Sequence, residues 1–432
     1  MWSSSKKRTA TWSIAALSIA AGLALATAQG FAQAPQREGG APAGREGGGR
    51  EGGRGGGRGI AAPLYPVLAL GSELPDNSLL GIDDKRHTLK EFSKAKVLVV
   101  MFESNHCPAS IAYEHRVLDL YNKYRGQGVD VVAVNPNNPK AVRLNELGYT
   151  DMNDSFEEMK LRAAFMKLTW PYLYDGETQE LAKKFGAVAT PHIFVFDGER
   201  KLRYQGAIDD NRNRLNVKDK YAENAVEALL AGKPVPVAET RAPGCSTKWL
   251  TTSLTGVDEE MKKIQSTPVT LTPIDADALK ALRANADTKK TMLVSFWQTG
   301  NKLSEQQFAD LQTTYRMYAG SSRPMDMVTV STDPASKSDA VLTYLKGQYA
   351  TSTNKQLSTT VAAAQAAFGL KWNASQPFTV VIGPDGKVLY QKEGALDIYA
   401  VRRYILASIP ENPAWPGVNE YYNSAIAMMA KR

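Results

Sequence analysis

Two cysteines are the residues of this chain whose type and setting best suit redox chemistry. Cys107 lies in VVMFESNHCPAS, between an apolar run and a helical stretch, and Cys245 lies much later, in APGCSTKW. The thiolate is the nucleophile in thiol chemistry, so a reactive cysteine needs a lowered pKa. A helix that starts after Cys107 points the positive end of its dipole at the sulfur, and a protonated His106 adds positive charge. Pro108 suits the first helical turn. The sequence therefore predicts a reactive thiol at Cys107.

Other kinds of site are poorly supported by the residue inventory. The chain has four histidines and two cysteines, which show no metal-ligand spacing, so we predict no metal and no cofactor. No glycine-rich phosphate loop or Ser-His-Asp order is present. We interpret His115 as solvated or capping and His192 as structural. We expect the acidic cluster to form a solvated helix face; its members are Asp151, Asp154, Glu157 and Glu158.

The elements that must position Cys107 follow a β-α-β pattern that occurs twice. Continuous apolar runs predict strands buried on both faces. In the first half the predicted strands cover 97–102, 129–135, 192–197 and 201–208, with a helix over 108–125. In the second half they cover 291–297, 327–332, 378–383 and 387–396, with a helix over 304–319 that Ser304 would cap. This repetition predicts an internal duplication of one α/β unit.

A strand, a cysteine at the start of a helix, and a later X-Pro before a hairpin together resemble the thioredoxin fold. The first half resembles the redoxins, which include alkyl hydroperoxide reductase/thiol-specific antioxidant (AhpC/TSA) proteins and periplasmic thioredoxins of the TlpA type. The resemblance places Cys107 at the first cysteine of the CxxC motif and Ser110 at the second. It places Thr190 and Pro191 at the cis-proline motif, which packs against the active cysteine in that family.

The second half resembles the TlpA type through FWQTGNKLSEQQFADLQ, residues 296–312. Asn301 and Ser304 stand at the two cysteine positions, and Pro377 takes the cis-proline place. This half contains no Cys and no His, which excludes thiol–disulfide chemistry within it. The resemblance therefore implies two tandem thioredoxin-like domains, of which the second has lost its redox site.

A peroxidase function fits the sequence less well. Peroxiredoxins resemble P-x-x-x-T-x-x-C around the reactive cysteine and have a later arginine that activates the peroxide. Here Val100 stands in the proline place, Ser104 in the threonine place, and the arginine position falls at about Pro191. Ser104 can still donate a hydrogen bond. The two missing features favour a thioredoxin-like thiol oxidoreductase over a peroxidase.

The fate of a mixed disulfide at Cys107 depends on Cys245. A CxxS site can form a mixed disulfide but cannot release it by local attack, so a resolving thiol must come from elsewhere. Cys245 follows the last predicted helix of the first domain, 222–231, on a segment that could fold back. Three alternatives remain open: Cys245 resolves Cys107, the two form a permanent structural bridge, or Cys245 is separate.

The N-terminus predicts export. Lys6, Lys7 and Arg8 precede the apolar run 13–28, and small-residue cleavage sites follow, which is typical of a signal peptide. Residues 35–59 hold 12 of the 34 glycines with interspersed arginines, which predicts a flexible linker. The formal net charge is +8, of which residues 1–60 supply +5 (eight Lys/Arg, three Glu). The remaining +3 gives little reason to expect a nucleic-acid partner.

The predicted organisation has six segments. They are a signal peptide (1–34), a Gly/Arg-rich linker (35–61), a redoxin-like domain with the CxxS site (62–250), a linker with a short helix (251–289), a cysteine-free thioredoxin-like domain (290–409) and a C-terminal tail (410–432) that could dock on the second domain.

The leading hypothesis is an exported, periplasmic or secreted thiol oxidoreductase that acts through Cys107. We expect His106 to stabilise the thiolate, with Ser104, Ser110, Thr190 and Pro191 around it, and a second domain that serves binding or architecture. The partners would be protein thiols or disulfides, or peroxide, and an external thiol reductant. A membrane would be involved only if the signal stays uncleaved. The alternatives are a peroxiredoxin-like peroxidase resolved by Cys245, and a non-catalytic scaffold in which Cys107 is a relic.

Overall fold

The structure, a computed structural model, describes residues 63–320 and 325–430. The predicted signal peptide and the glycine-rich linker lie outside the described residues. The first α/β unit contains nine strands and four helices. The strands are β1 (Leu79–Gly81), β2 (Arg86–His87), β3 (Val97–Phe102), β4 (Val129–Asn135), β5 (Tyr172–Tyr174), β6 (Ala189–Thr190), β7 (His192–Phe196), β8 (Leu202–Gly206) and β9 (Cys245–Ser246). The helices are α1 (Pro108–Tyr124), α2 (Phe156–Met166), α3 (Glu180–Phe185) and α4 (Tyr221–Leu230).

A connecting helix, α5 (Leu250–Ser266), leads to the second α/β unit. The strands of that unit are β10 (Thr272–Ile274), β11 (Thr291–Trp297), β12 (Met325–Ser331), β13 (Thr353–Leu357), β14 (Phe378–Ile382) and β15 (Val388–Glu393). Its helices are α6 (Ala276–Ala284), α7 (Lys302–Tyr318), α8 (Ser338–Gly347), α9 (Val361–Phe368) and α10 (Ile398–Ser408). A last helix, α11 (Val418–Met429), lies in the predicted tail.

The two main sheets have the same central arrangement. The first has the order β2-β1-β5-β4-β3-β7-β8 and the second β10-β13-β12-β11-β14-β15. In the first sheet β3, β4 and β5 run parallel, and in the second β10, β11, β12 and β13 do. In each sheet, the first strand of the closing hairpin is antiparallel to the strand beside it, β3 or β11. All residues of β3 and β11 are buried, as their apolar runs predict. The thioredoxin-like α/β fold class is confirmed in both units.

The element order also agrees with the predicted duplication. Each unit runs strand, helix, strand, helix, strand, helix, hairpin, helix, from β3 to α4 and from β11 to α10. A two-stranded sheet of β6 and β9 is an addition of the first unit. That small sheet carries Thr190 and Cys245, so this difference between the two units lies at the predicted site.

The start of α7 and the start of the second unit differ from the sequence predictions, and the ends of several other elements differ by up to three residues. Helix α7 begins at Lys302, and its N-cap is Asn301, whose side chain accepts from the Ser304 amide; Ser304 therefore lies inside the first turn instead of capping it. The predicted linker 251–289 contains α5, β10 and α6. Strand β10 pairs with β13 and Leu279 of α6 is in the second unit's core, so that unit starts well before residue 290. Periodicity alone gave no signal for a three-residue edge strand.

The two α/β units share a hydrophobic cluster and form one compact body. Apolar side chains from the helix α1, the segment 142–147 and α2 pack with side chains from α7, α10 and α11. The buried members of this shared cluster include Ile111, Val142, Leu147, Phe165, Leu311, Met317, Val401, Ile405, Leu406, Val418 and Tyr422. Helix α11 contacts α1 as well as α10, so the tail docks on both units and not on the second alone.

Candidate active site

Cys107 sits at the N-cap of α1, directly after the loop that leaves β3. Its side chain is fully buried, and its backbone is extended, with Pro108 as the first helical residue. The orphan amides of a helix N-terminus and the positive end of its dipole surround such a position. Cys107 Sγ lies 2.9 Å from the carbonyl oxygen of Thr190, to which the protonated thiol donates. The predicted nucleophile is therefore in contact with the predicted cis-proline strand.

Cys245 lies beside Cys107, although 137 residues separate the two. Strand β9 pairs antiparallel with β6 in a register that sets Cys245 opposite Thr190. Gly244 makes this pairing possible, because it has φ +101° and a Cβ there would lie 2.1 Å from the Thr190 oxygen. Both cysteines are free thiols in this structure. Cys107 is fully enclosed whereas Cys245 is partly exposed, so Cys245 is the member of the pair closer to solvent.

The pair is electrostatically asymmetric. Burial alone would raise the pKa of Cys107, but a hydrogen bond from the Cys245 thiol, the charge of His106 and the amides of Ser110 and Cys245 lower it to about 6. The pKa of Cys245 is raised, first by its hydrogen bond with Cys107 and then by burial. At neutral pH the arrangement therefore favours a thiolate on Cys107 and a neutral thiol on Cys245.

His106 is held in a buried ion pair. Its Nδ1 lies 2.5 Å from Asp154 Oδ2, and both side chains are buried. Burial lowers the pKa of His106, but the charge and the hydrogen bond of Asp154 outweigh burial, so that its pKa is raised overall. The imidazolium form is thus favoured next to the Cys107 sulfur, which is the role predicted for His106.

Asp154 is the functional residue that the sequence interpretation missed. Its carboxylate accepts from the backbone amides of Asn105 (2.7 Å) and His106 (3.3 Å) and from the side-chain amides of Asn137 (2.8 Å) and Asn135 (3.2 Å). Burial raises the pKa of Asp154, but His106 and these donors lower it overall. The expectation of a solvated acidic face is wrong for Asp154 and Asp151, which are both buried. The sequence feature that pointed to this hydrogen-bond network was Asn135, a polar residue at the end of the buried strand β4.

The remaining predicted site residues also converge on Cys107. Ser104 Oγ lies 3.0 Å from Thr190 Oγ1, and the Ser104 amide donates to Ser110 Oγ at 3.3 Å. The Thr190–Pro191 peptide bond is cis. All of these side chains except that of Pro191 are polar groups enclosed by protein. Ser110, at the second cysteine position, thus has a structural hydrogen bond instead of a redox function.

Features of the peroxidase alternative are not assembled here. Val100 is a buried residue in the middle of β3, paired with β4 and β7. The position expected to hold arginine is the cis proline itself, Pro191.

Lys248 is a cation whose charge acts on both His106 and Cys245. It forms a 2.6 Å ion pair with Glu146.

The degenerate site of the second unit has become a helix cap. Asn301 Oδ1 accepts from the Ser304 amide at 2.9 Å, and its Nδ2 donates to the carbonyl of Ser375 at 2.9 Å. Pro377 precedes β14 but does not follow a cis peptide bond, since the one cis bond of the described residues is at Pro191. Pro377 therefore occupies the sequence place of the cis proline without the cis bond. The trans isomer is the ordinary preference of X-Pro, and no strand equivalent to β9 lies against this position.

A second group of buried charges lies behind the site. Arg162 and Glu114 form a 2.6 Å ion pair, with both side chains buried. Glu103 is buried near them, and its Oε1 has no hydrogen-bond partner among the described residues. Burial and the charge of Glu114 raise the pKa of Glu103 to about 8. Glu103 is therefore protonated at neutral pH.

Comparison with known proteins gives the family of the first unit. Residues 70–205 match the AhpC/TSA family. The first α/β unit of this chain belongs to the AhpC/TSA family of thioredoxin-fold proteins. The match covers β3, Cys107, the cis-proline strand and most of β8, and it stops before β9 and Cys245. A comparison with curated proteins finds no significant match.

Solved structures similar to this chain cover less than half of it. A hypothetical protein from Sinorhizobium meliloti 1021 is 33% identical, with a TM-score of 0.38, over 43% of this chain and 96% of its own. An uncharacterized conserved protein from Geobacillus kaustophilus is 36% identical, with a TM-score of 0.37, over 43% and 93%. The thioredoxin domain of a thiol-disulfide oxidoreductase from Bacteroides vulgatus is 20% identical, with a TM-score of 0.26, over 31% and 86%.

Two searches of the described residues concern metals and membranes. Within 63–320 and 325–430, no group of three or more His, Cys, Asp or Glu side chains is arranged to hold a metal ion. No helix in these ranges has the length and apolar character needed to cross a membrane.

Proposed function

We propose that this protein is a thiol–disulfide oxidoreductase whose working pair is Cys107 and Cys245. The observation that carries the proposal is the β6–β9 pairing, which sets Cys245 opposite Thr190 while Thr190 contacts Cys107. Of the three alternatives for Cys245, separation from Cys107 has the least support. The two free thiols, with one favoured as the thiolate, support a reactive pair over a permanent bridge.

The first half-reaction would oxidise the pair and reduce a substrate disulfide. The Cys107 thiolate attacks one sulfur of the substrate, forms a mixed disulfide and releases the other sulfur as a thiolate. Cys107 has then lost its charge, so the main cause of the raised Cys245 pKa is removed. Cys245 loses its proton and attacks Cys107 Sγ. The second substrate thiolate leaves, and a Cys107–Cys245 disulfide remains.

An external thiol reductant would close the cycle. Its thiolate attacks one sulfur of the pair, and a second thiol completes the reduction to two protein thiols. The better leaving group in such an exchange is the thiol of lower pKa, which here is Cys107. Attack at the more exposed Cys245 is therefore favoured by both access and leaving-group chemistry. The predicted signal peptide supports a periplasmic or secreted location, where substrate disulfides persist.

A stoichiometric test with an aromatic disulfide such as 5,5′-dithiobis(2-nitrobenzoate) distinguishes the roles of the two cysteines. Reduced wild type should release about two equivalents of chromophore, one from attack by Cys107 and one from resolution by Cys245. Cys245→Ser should release about one equivalent and retain the other half as a stable adduct on Cys107. Cys107→Ser should react slowly and lose insulin-disulfide reduction.

Three outcomes would count against the proposal. Insulin reduction that survives Cys107→Ser would remove Cys107 as the nucleophile. Full turnover by Cys245→Ser would show that an external thiol resolves the mixed disulfide. Rapid peroxide consumption without insulin reduction would favour the peroxidase alternative. In that reaction Cys107 Sγ attacks one peroxide oxygen, the O–O bond breaks, the other oxygen leaves as water or alcohol, and Cys107 becomes a sulfenic acid.

The charge on Cys107 can be tested separately through His106. Alkylation of Cys107 by iodoacetamide, followed against pH by mass spectrometry, should give a midpoint near 6 in the wild type. His106→Gln removes the neighbouring charge and should raise the midpoint by about 1–2 pH units. His115→Gln is the matched control, since His115 is exposed on α1, and should leave the midpoint in place. A wild-type midpoint near the ordinary value of about 8.5 would favour the non-catalytic scaffold alternative.

A further inference from the structure

The loop 149–154 joins the active site to the second α/β unit. It connects a short helical turn at Leu144–Leu147 to α2. Its inner side belongs to the site: Asp154 binds His106 and the Asn105 amide, and Thr150 Oγ1 donates to the Asn105 carbonyl at 2.9 Å. The loop thus fixes the two residues that immediately precede Cys107.

The outer side of the same loop is held by residues of α10 and α11. Arg403 Nε donates to Asp151 Oδ2 at 2.7 Å, and Arg402 Nη1 donates to the Asp151 carbonyl at 3.0 Å. The Tyr422 hydroxyl donates to Asp151 Oδ1 at 3.2 Å and accepts from the Asp151 amide at 3.2 Å. Tyr318 of α7 donates to the Thr150 carbonyl at 2.6 Å.

Burial of these groups holds the loop 149–154 in one position against α10 and α11. Asp151 is 1% exposed, Arg403 is 7% exposed and Tyr422 is fully buried. A buried carboxylate requires its partners, because an unpaired charge in the interior is strongly disfavoured. Asp154 lies three positions after Asp151, so the Cα atoms of the two residues are at most about 11 Å apart. A displacement at Asp151 must therefore be absorbed within a very short segment that also carries the His106 partner.

We propose that the second α/β unit, together with the C-terminal helix α11, is a positioning device for the active site of the first. Through Arg403 and Tyr422 it fixes Asp151, and the loop 149–154 then holds Asp154 against His106 and, through His106, tunes the Cys107 sulfur. This gives the thiol-less unit a function in the chemistry, beyond binding or architecture. Arg403, Tyr422 and Asp151 are positioning residues, since they touch neither sulfur.

The charged groups around the site define what a pH profile would report. His106 faces Asp154, Cys107 and Lys248, and Cys107 faces His106 and Cys245. Glu146 pairs with Lys248, and Glu103 acts on Asp154 from the other side. The midpoint of Cys107 alkylation against pH therefore depends directly on the His106–Asp154 ion pair. Loss of packing elsewhere in the protein would leave this midpoint unchanged.

The test uses the reduced full-length chain and the pH profile of Cys107 alkylation. Arg403→Met removes the positive charge that pairs with Asp151 while keeping most of the side-chain volume, and Tyr422→Phe removes one hydroxyl. Both should raise the alkylation midpoint, Arg403→Met by about 1 pH unit and Tyr422→Phe by less, because His106 loses part of its charge stabilisation. Arg403→Lys should restore most of the wild-type midpoint. Should Arg403→Met fail to fold, Tyr422→Phe and Arg403→Lys still give the comparison.

Arg214→Gln is the matched control. Arg214 forms an exposed 3.3 Å ion pair with Glu420 of α11, which also joins the first unit to the C-terminal helix but does not touch the loop. It should leave the midpoint unchanged. Unchanged midpoints in folded Arg403→Met and Tyr422→Phe would overturn the inference, as would an equal shift in Arg214→Gln.

The inference rests on the proposed Cys107 thiolate but not on the reaction that it performs. A wild-type midpoint near 8.5 would remove the proposed function together with its tuning. A low wild-type midpoint that Arg403 and Tyr422 do not affect would remove the positioning role alone and leave the oxidoreductase proposal intact.

Discussion

The reactivity of Cys107 depends on neighbours that come from four separate stretches of sequence. His106 is adjacent in the chain, Asp154 lies on the loop after β4, Thr190 lies on β6 and Cys245 on β9. Each contributes a different physical effect: positive charge, orientation of the imidazole, a carbonyl that accepts from the thiol, and a neutral thiol that donates to the thiolate. Without His106, Asp154 and the Cys245 thiol, burial would raise the pKa of Cys107 and the sulfur would be inert. The Thr190 carbonyl instead accepts from the protonated thiol and so favours the neutral form.

The raised pKa of the single residue Glu103 predicts that the free energy of unfolding depends on pH. Its pKa is about 8 in the folded protein against 4.5 for an ordinary Glu, so folding favours the protonated form. This contribution is fully present below pH 4.5 and is lost as pH rises through 8, at a cost of a few kcal/mol. The raised pKa of His106 acts in the same direction above its ordinary value of 6.5.

Glu103→Gln should therefore flatten this dependence. The amide resembles the protonated acid, so the variant should be close to wild type in urea unfolding at pH 5 and more stable at pH 8.5. The exposed Glu177→Gln is the control and should follow wild type at both values. An equal fall in stability for wild type and Glu103→Gln between the two pH values would show that Glu103 ionises normally.

At the scale of elements, the site depends on a two-stranded sheet that has no counterpart among the described residues of the second unit. Strand β9 has two residues and adds to β6 beside the cis proline. The chain turns into β9 at Gly244, where φ is +101° and no room remains for a side chain against Thr190. The closeness of Cys245 to Cys107 is thus a consequence of one glycine and one short pairing.

Gly244→Ala should separate the two cysteines. The added methyl meets the Thr190 oxygen at 2.1 Å and the Ala109 side chain at 3.1 Å, so β9 must move away. We expect a slower second chromophore release in the aromatic-disulfide assay, at least about tenfold, since resolution requires contact between the sulfurs. Gly232→Ala is the matched control: it also has positive φ, +66°, but open space around it. Equal resolution rates in the two variants would contradict the role of the β6–β9 pairing.

At the scale of the whole molecule, the two α/β units are packed against each other through a common hydrophobic cluster. The shared cluster joins α1 and α2 of the first unit to α7, α10 and α11, and the loop 149–154 adds polar contacts beside it. Each unit also has a cluster of its own, such as the one around Leu279, which lies within the second unit. Stability at the interface therefore bears on both units, whereas stability within that second cluster bears on one.

Two matched truncations test this arrangement. Leu406→Ala in the shared cluster should cost about 2–5 kcal/mol and increase hydrogen exchange in both α10 and the segment 142–166 of the first unit. Leu279→Ala should cost a similar amount and increase exchange within the second unit. The measurement is hydrogen exchange by mass spectrometry under native conditions. Exchange confined to the second unit in both variants would mean that the units open independently.

The sequence by itself determined the main elements, the duplication and the nucleophile. Long apolar runs specify buried strands locally, which is why β3, β4 and β11 begin and end at the predicted residues. The family motif around Cys107 is contiguous, so Cys107, His106, Ser104 and Ser110 could be named without a structure. In the second unit, the same pattern predicted β11, β12, β14, β15 and α7. It did not predict the short strands β10 and β13 or the helices α8, α9 and α10.

The tertiary structure alone decided which distant residues complete the site. From the sequence, Asp154 is interpreted as one member of an exposed acidic cluster, whereas in the fold it is buried and paired with His106. Sequence patterns indicate hydrophobicity, but they do not indicate which partners the fold will place around a charged residue. The place of Cys245 depends on a two-residue strand and a single glycine, which have no periodicity to detect. The role of the second unit depends on side chains from α10 and α11 that meet a loop some 250 positions earlier. Such long-range contacts are set by packing, and packing is not written in any local stretch of the chain.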